Sequence, residues 1–203
     1  MIDLYYAATP NGRKVKLFLE EAGIQYKIVP VDLAQREQFK PEFLAISPNN
    51  KIPAIVDDQP VGGGSPLSLF ESGAILLYLA EKTGSFLPKK PRDREAALEW
   101  LFWQVSELGP MVGQANYFNN RAPEKLPHAI ERYGKEIERL YNVLNKRLEN
   151  RAFLADEYSI ADIACYPFIA IHASYGQNLE NFPGIKRWFN TISERPAVKR
   201  AYS

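Results

Sequence analysis

The run Thr9-Pro10-Asn11-Gly12 puts a hydroxyl, a side-chain amide and a glycine into one turn, immediately ahead of a helical pattern. A helix N-terminus carries unpaired amides and about half a positive charge, so it stabilises an anion set against it. A thiolate is such an anion, and thiol pKa values fall at these positions. The Thr9 hydroxyl and the Asn11 amide can each donate one further hydrogen bond to it. The same residues would serve equally as a turn and an ordinary helix cap.

Two other segments invite a related chemistry. In Asn50-Lys51-Ile52-Pro53-Ala54 a proline heads a strand. If that bond is cis, the Ile52 amide and carbonyl are free to pair with an extended peptide; most X-Pro bonds are trans, so position alone does not establish it. In Phe70-Glu71-Ser72-Gly73 a strand gives way to a helix. The Ser72 hydroxyl and the helix amides suit a carboxylate, and Glu71 suits an ammonium one step away. Together they would receive an α-amino-acid head group, although Ser72 is also a good cap and Glu71 also suits a first turn on dipole grounds. Each segment is ambiguous singly; their convergence on one sheet edge is the informative pattern.

The elements that must bring them together are legible. Residues 2–6 have strand composition, residues 10–22 carry Val15, Phe18, Leu19 and Ala22 on one helical face before Gly23, and residues 26–31 read as a second strand. That is a βαβ unit with parallel strands and a right-handed crossover. After a short helical segment near 41–44, strands at 52–56 and 66–70 flank the Gly62-Gly63-Gly64 run as a hairpin, and a helix over 72–82 follows. The glycines lack the spacing of a nucleotide-binding loop and read as a flexible turn. The order βαβ then ββα predicts a thioredoxin-like α/β domain over residues 1–84, with a four-stranded mixed sheet.

Residues 85–91, rich in proline and lysine, read as a linker, and beyond them the strand signal stops. Residues 92–203 are expected to form an all-helical bundle. A helix over 92–119 should bend at Gly109-Pro110. Residues 127–150 carry an apolar stripe through Ile130, Tyr133, Ile137, Leu140, Leu144 and Leu148. Ser159-Ile160-Ala161-Asp162 forms a capping box, with Tyr158 and Ile163 placed as a hydrophobic staple. The helix it opens, expected over 160–175, is apolar nearly all round and should cross the domain core. A last helix follows Pro183.

Composition narrows the function classes. With 203 residues, 46% apolar and 24% charged, the chain is an ordinary globular protein. Twenty-five Lys and Arg against 24 Asp and Glu leave a formal charge of +1. No broad basic field is present to grip nucleic acid or anionic lipid. The start of the sequence lacks the features of a secretory signal, and the longest apolar runs are too short to span a bilayer. Cys165 is the only cysteine, so no intrachain disulfide and no Cys-x-x-Cys motif can form. It lies in the apolar helix and reads as structural. Histidines 128 and 172 offer little material for a metal site or a Ser-His-Asp triad, and no metal is expected. Trp100, Phe102 and Trp103 read as core or interface. The reducing cytoplasm is the expected compartment.

Taken together, the stretches 9–12, 38–43, 47–57 and 69–75, followed by a helical half carrying Ser-Ile-Ala-Asp, resemble the glutathione transferase superfamily over essentially the whole chain. Within it they resemble the bacterial nu class, also described as glutathione-dependent disulfide-bond oxidoreductases and related to a fungal nitrogen-regulator prion fold. The resemblance implies that Thr9 and Asn11 sit beside the glutathione sulfur, where other classes use Tyr, Ser or Cys. Ile52, before a cis Pro53, would pair with the cysteinyl unit. Glu71 and Ser72 would hold the γ-glutamyl head, with Gln38 and Lys51 at the polar ends of the tripeptide. Arg132 would reach toward ligand from the long helix, or be a solvated helical arginine. Tyr5 and Tyr6 read as strand packing. The implied activity is reduction of small disulfides, with glutathione in reduced or disulfide form as co-substrate and a homodimeric assembly. Conjugation of glutathione to electrophiles is the enzymatic alternative, and a non-catalytic regulator keeping the fold is the alternative of another class.

Overall fold

In the computed structural model, which describes residues 1–203, the chain forms two compact units. One comprises Met1–Leu87 with Pro196–Ser203, the other Pro88–Arg195. In the first, strand β1 (Ile2–Tyr6) pairs in parallel with β2 (Tyr26–Pro30) and antiparallel with β3 (Ala54–Asp57), and β3 pairs antiparallel with β4 (Leu67–Phe70). The sheet order is β2-β1-β3-β4. This is the mixed four-stranded sheet that the strand and helix signals imply.

Helix α1 (Pro10–Ala22) starts at Thr9, whose Oγ1 accepts the Gly12 amide at 3.2 Å, and stops at Gly23 in the left-handed conformation. It buries Val15, Leu17, Phe18 and Leu19, and with Ile2, Leu4, Ile55 and the apolar side of α3 (Ser72–Thr83) these residues fill the core. A short helix α2 (Pro41–Leu44) follows a 3-10 turn at Glu37–Phe39, and its Phe43 packs with Val31 and Ala54 in a second apolar cluster that Tyr5, Ile46 and Ile52 border. The sequence reading places Tyr5 in strand packing, and its ring indeed lies 6.0 Å from that of Phe43.

At the end of β3, Asp57 is fully buried. It accepts hydrogen bonds from Tyr78 at 2.7 Å and from the Gln59 amide at 3.0 Å, and it pairs with Lys82. Burial pushes the Asp57 carboxyl up, but the bonds from Lys82, Tyr78 and Gln59 outweigh it and hold its pKa below the usual value. Burial and the bond to Asp57 push Tyr78 up to about 12. The network ties the C-terminal half of α3 to the β3–β4 hairpin, and so fixes where the N-terminus of α3 stands.

The second unit holds α4 (Pro91–Trp103), α5 (Gly109–Asn120), α6 (Pro127–Leu148), α7 (Ile160–Ile169) and α8 (Pro183–Ser193). A π-helical turn, Gln104–Leu108, joins α4 to α5 ahead of Gly109-Pro110. The expected bend is thus absorbed by a widened turn, in which the Gly109 amide bonds back to Gln104, rather than by a break at the proline. All of α7 is buried. It ends at Ile169, earlier than its apolar pattern suggests, because the Tyr175 hydroxyl takes the Phe168 carbonyl at 2.7 Å and a 3-10 turn, His172–Tyr175, follows.

The capping box at Ser159 is present. Asp162 accepts from the Ser159 amide, the Ser159 hydroxyl, the Leu154 amide and Trp188 Nε1. Burial pushes its pKa up to about 6 against the pull of those donors. The sequence reading keeps residues 92–203 together, whereas the last helix, α9 (Pro196–Tyr202), groups with the first unit. There the Arg13 guanidinium stacks over Tyr202 at 4.3 Å and Arg200 pairs with Glu20 at 2.7 Å. No helix of the chain is long and apolar enough to cross a membrane.

Candidate functional site

The candidate site forms where three chain breaks in the first unit meet: the β1–α1 turn, the approach to β3, and the β4–α3 junction. Gly12 makes the first possible. It is buried, and a Cβ there would overlap the Ala7 carbonyl oxygen and sit 3.1 Å from the Tyr6 ring. With no Cβ the turn closes tightly, so Thr9 caps the helix and Asn11 projects from its first turn, exposed.

The second break is ordered by Ser47, fully buried, whose hydroxyl donates to the Lys51 carbonyl at 2.8 Å. The Ile52–Pro53 bond that follows is cis. Ile52 stands just ahead of β3, with its amide and carbonyl outside the paired residues of the sheet. At the third break Glu71 adopts φ 68°, ψ 111°, a conformation that costs a residue with a Cβ about 1–3 kcal/mol. It bends the chain so that Ser72 opens α3, with the first free amides of that helix beside it.

Asn11, Lys51, Ile52, Pro53, Glu71 and Ser72 line one cleft, together with Ser47, Asn49 and Phe70. Ser72 is its buried centre. It accepts from Lys14 Nζ at 3.1 Å, and its own hydroxyl points to Asn11 Oδ1 at 3.4 Å. The lining brings together the Glu71 carboxylate, the Ser72 hydroxyl at the start of α3, the Ile52 backbone and the Asn11 side chain.

Two expected residues lie apart from this lining. Gln38 sits in the 3-10 turn, half-buried, with its Oε1 enclosed and without a hydrogen-bond partner. Arg132 is exposed on α6 and belongs to a groove of the helical unit of about 610 Å³, beside Glu107, Met111 and Tyr133. Its neighbours Glu131 and Glu136 are committed to Lys135 and Arg139, at 2.5 and 2.7 Å. Thr9 serves as the cap of α1 and is not itself part of the cleft lining.

Residues 2–81 match the family described as "Glutathione S-transferase, N-terminal domain", and residues 101–196 match "Glutathione S-transferase, C-terminal domain". The chain belongs to the glutathione S-transferase family. The chain is 60% identical over 202 residues to the disulfide-bond oxidoreductase YfcG of Escherichia coli (strain K12), a match covering 99% of this chain and 94% of that protein. A glutathione transferase from Pseudomonas putida, crystallised with one glutathione disulfide bound per subunit, shares the fold with a TM-score of 0.95 and 41% identity, over 100% of this chain and 90% of that one. A family member from Pseudomonas fluorescens with two glutathione bound gives 0.94 and 44%, over 99% and 92% of the two chains.

Lys14, beneath the cleft, is absent from the sequence reading, and Ser47, Asn49 and Phe70, which line the cleft, stand there only within motif stretches and without a role of their own. Ser47 and Asn49 flank Pro48 in a turn-rich run, where residue type alone does not assign a polar side chain to a cleft. Lys14 did carry a signal. It falls on the buried face of α1 with Leu17 and Phe18, at helical spacing, where an apolar side chain belongs.

Proposed function

We propose that the chain reduces small disulfides at the expense of glutathione, which supplies the reacting sulfurs. The observation that carries this is the cleft itself: a polar peptide receptor at a helix N-terminus with no cysteine in its lining, the single Cys165 being fully buried in α7. The name of its 60%-identical relative supports the reaction class, and the glutathione bound in the solved neighbours supports the ligand.

In this reading a first glutathione thiolate, steadied by Thr9, Asn11 and the positive N-terminal end of the α1 dipole, attacks one sulfur of the substrate disulfide. A glutathione–substrate mixed disulfide forms and the second substrate sulfur leaves as a thiolate, which takes up a proton. A second glutathione thiolate attacks the mixed disulfide at its glutathione sulfur, giving glutathione disulfide and releasing the remaining substrate thiol. Two glutathiones are oxidised and one disulfide is reduced, with no protein sulfur involved. The protein contributes a lowered thiol pKa and alignment of the sulfurs. Ile52, ahead of Pro53, pairs with the cysteinyl unit, Glu71 and Ser72 hold the γ-glutamyl head, and Gln38 and Lys51 serve the polar ends. Arg132 provides a cation for ligand carboxylates.

The same reading makes the protein a cytoplasmic nu-class enzyme and a homodimer. Large apolar side chains left exposed, Phe102 at 61% and Val61 at 64%, support a partner surface on each unit. The deciding experiment follows glutathione disulfide formation from a small dialkyl disulfide and compares it with conjugation of a chlorinated aromatic. Cys165→Ala should keep most of the disulfide turnover. A large loss in that variant with its fold intact, or a faster conjugation than reduction, refutes the proposal.

A further inference from the structure

Lys14 is 1% exposed, on a helix face otherwise filled by Leu17, Phe18 and Val15. Burying an ammonium is unfavourable unless its protons are satisfied by well-placed acceptors. One of those acceptors is Ser72 Oγ at 3.1 Å. An ammonium donates and never accepts. The Lys14 bond therefore occupies a lone pair of the Ser72 oxygen and leaves the hydroxyl proton to be donated outward. That proton faces Asn11 Oδ1 at 3.4 Å, beyond the usual range for a hydroxyl donor. A proton so weakly held, on an oxygen polarised by a cation behind it, is set for a stronger acceptor. That acceptor has a place in the cleft lining at Ser72, the first residue of α3, where the opening amides of the helix are free and Glu71 precedes it in the chain.

We propose that Lys14 is a positioning residue that makes the cleft selective for a carboxylate at Ser72: from beneath, it fixes the direction of the Ser72 hydroxyl and lends that subsite a buried positive charge. The inference rests on reading Glu71 and Ser72 as the γ-glutamyl subsite. It adds two points to that reading. Ligands lacking the α-carboxylate of the γ-glutamyl unit should not sense Lys14. Arrival of that carboxylate should also take the hydroxyl proton away from Asn11, freeing the Asn11 amide to turn toward the ligand sulfur.

The test reads three ligands against Lys14 variants of the 203-residue protein. Calorimetry measures binding of glutathione, of the analogue in which γ-aminobutyryl replaces γ-glutamyl and so lacks the α-carboxylate while keeping the amine, and of the des-amino analogue, which keeps the carboxylate and lacks the amine. Lys14→Met should weaken glutathione and the des-amino analogue about 10-fold, as loss of a charge-assisted interaction would. It should weaken binding of analogues without the carboxylate less than about twofold. In turnover the loss should appear in KM for glutathione, with kcat at saturation little changed. Lys14→Arg, which keeps the charge and donors, should restore most of the affinity. Equal losses for all ligands, or unchanged glutathione binding in Lys14→Met, would overturn the proposal. Should Lys14→Met not fold, Lys14→Gln is read against the same ligands and must show the same carboxylate-dependent loss. A wild-type protein that binds no glutathione removes the proposed function and this inference together, whereas tight wild-type binding with an indifferent Lys14→Met removes the inference alone.

Discussion

Glu71 is held at φ 68°, ψ 111°, and comparing two substitutions separates what that conformation costs from what the side chain does. Glu71→Ala removes the carboxylate and keeps a Cβ, so the strain of about 1–3 kcal/mol stays. Glu71→Gly removes both the carboxylate and the strain, but frees the unfolded chain at a cost of about 0.5–1 kcal/mol. The glycine variant should therefore be the more stable of the two by about 1 kcal/mol, a difference of about 0.5 M in urea midpoint for a slope of about 2 kcal/mol per molar. Both variants lose the proposed partner of the ligand ammonium, an exposed charge-assisted bond at the low end of about 1.5–3 kcal/mol, so glutathione should bind about 10-fold more weakly to each. Urea titrations and calorimetry on the same preparations read both quantities. An alanine variant as stable as the glycine variant would refute the strain; unchanged affinity in both would refute the ammonium contact.

Two further outcomes are expected. Gly12→Ala forces a Cβ against the Ala7 carbonyl oxygen and to 3.1 Å from the Tyr6 ring; because the obstacle is backbone, it should cost about 3 kcal/mol and displace the first turn of α1, lowering glutathione affinity as well, and a variant with wild-type midpoint and affinity would contradict the close approach. For Asp162, a folded-state pKa of about 6 against an unfolded value of about 3.9 means that the folded state holds more protons between those limits, so this group's contribution to stability falls by up to about 3 kcal/mol as pH rises through the window. Depressed carboxyls such as Asp57 act in the opposite sense, so the measure is the wild-type minus Asp162→Asn difference in urea midpoint, which should shrink from pH 4 to pH 7; a difference that does not change with pH would show that burial does not raise this pKa.

What the sequence made legible is what is encoded locally. The strand composition of 2–6 and 26–31, the glycine stop at Gly23 and the Ser159–Asp162 capping box are each read from neighbours within a few residues, and the sheet and helices follow them. The Glu71-Ser72 and Ile52-Pro53 pairs are ambiguous singly and become legible as candidates through their convergence on one sheet edge. What escaped depends on contacts distant in the chain. The end of α7 is set by a hydroxyl from Tyr175, and the last helix joins the first unit through pairs with Arg13 and Glu20. Lys14 escaped for a different reason: a lysine within an apolar helical face reads as an interruption of the pattern unless one asks what lies opposite it. Opposite it, 58 positions away in sequence, is the Ser72 hydroxyl. The direction of that hydrogen bond follows from the ammonium's inability to accept, so the residue least in keeping with the fold pattern is the one that gives the ligand cleft its polarity.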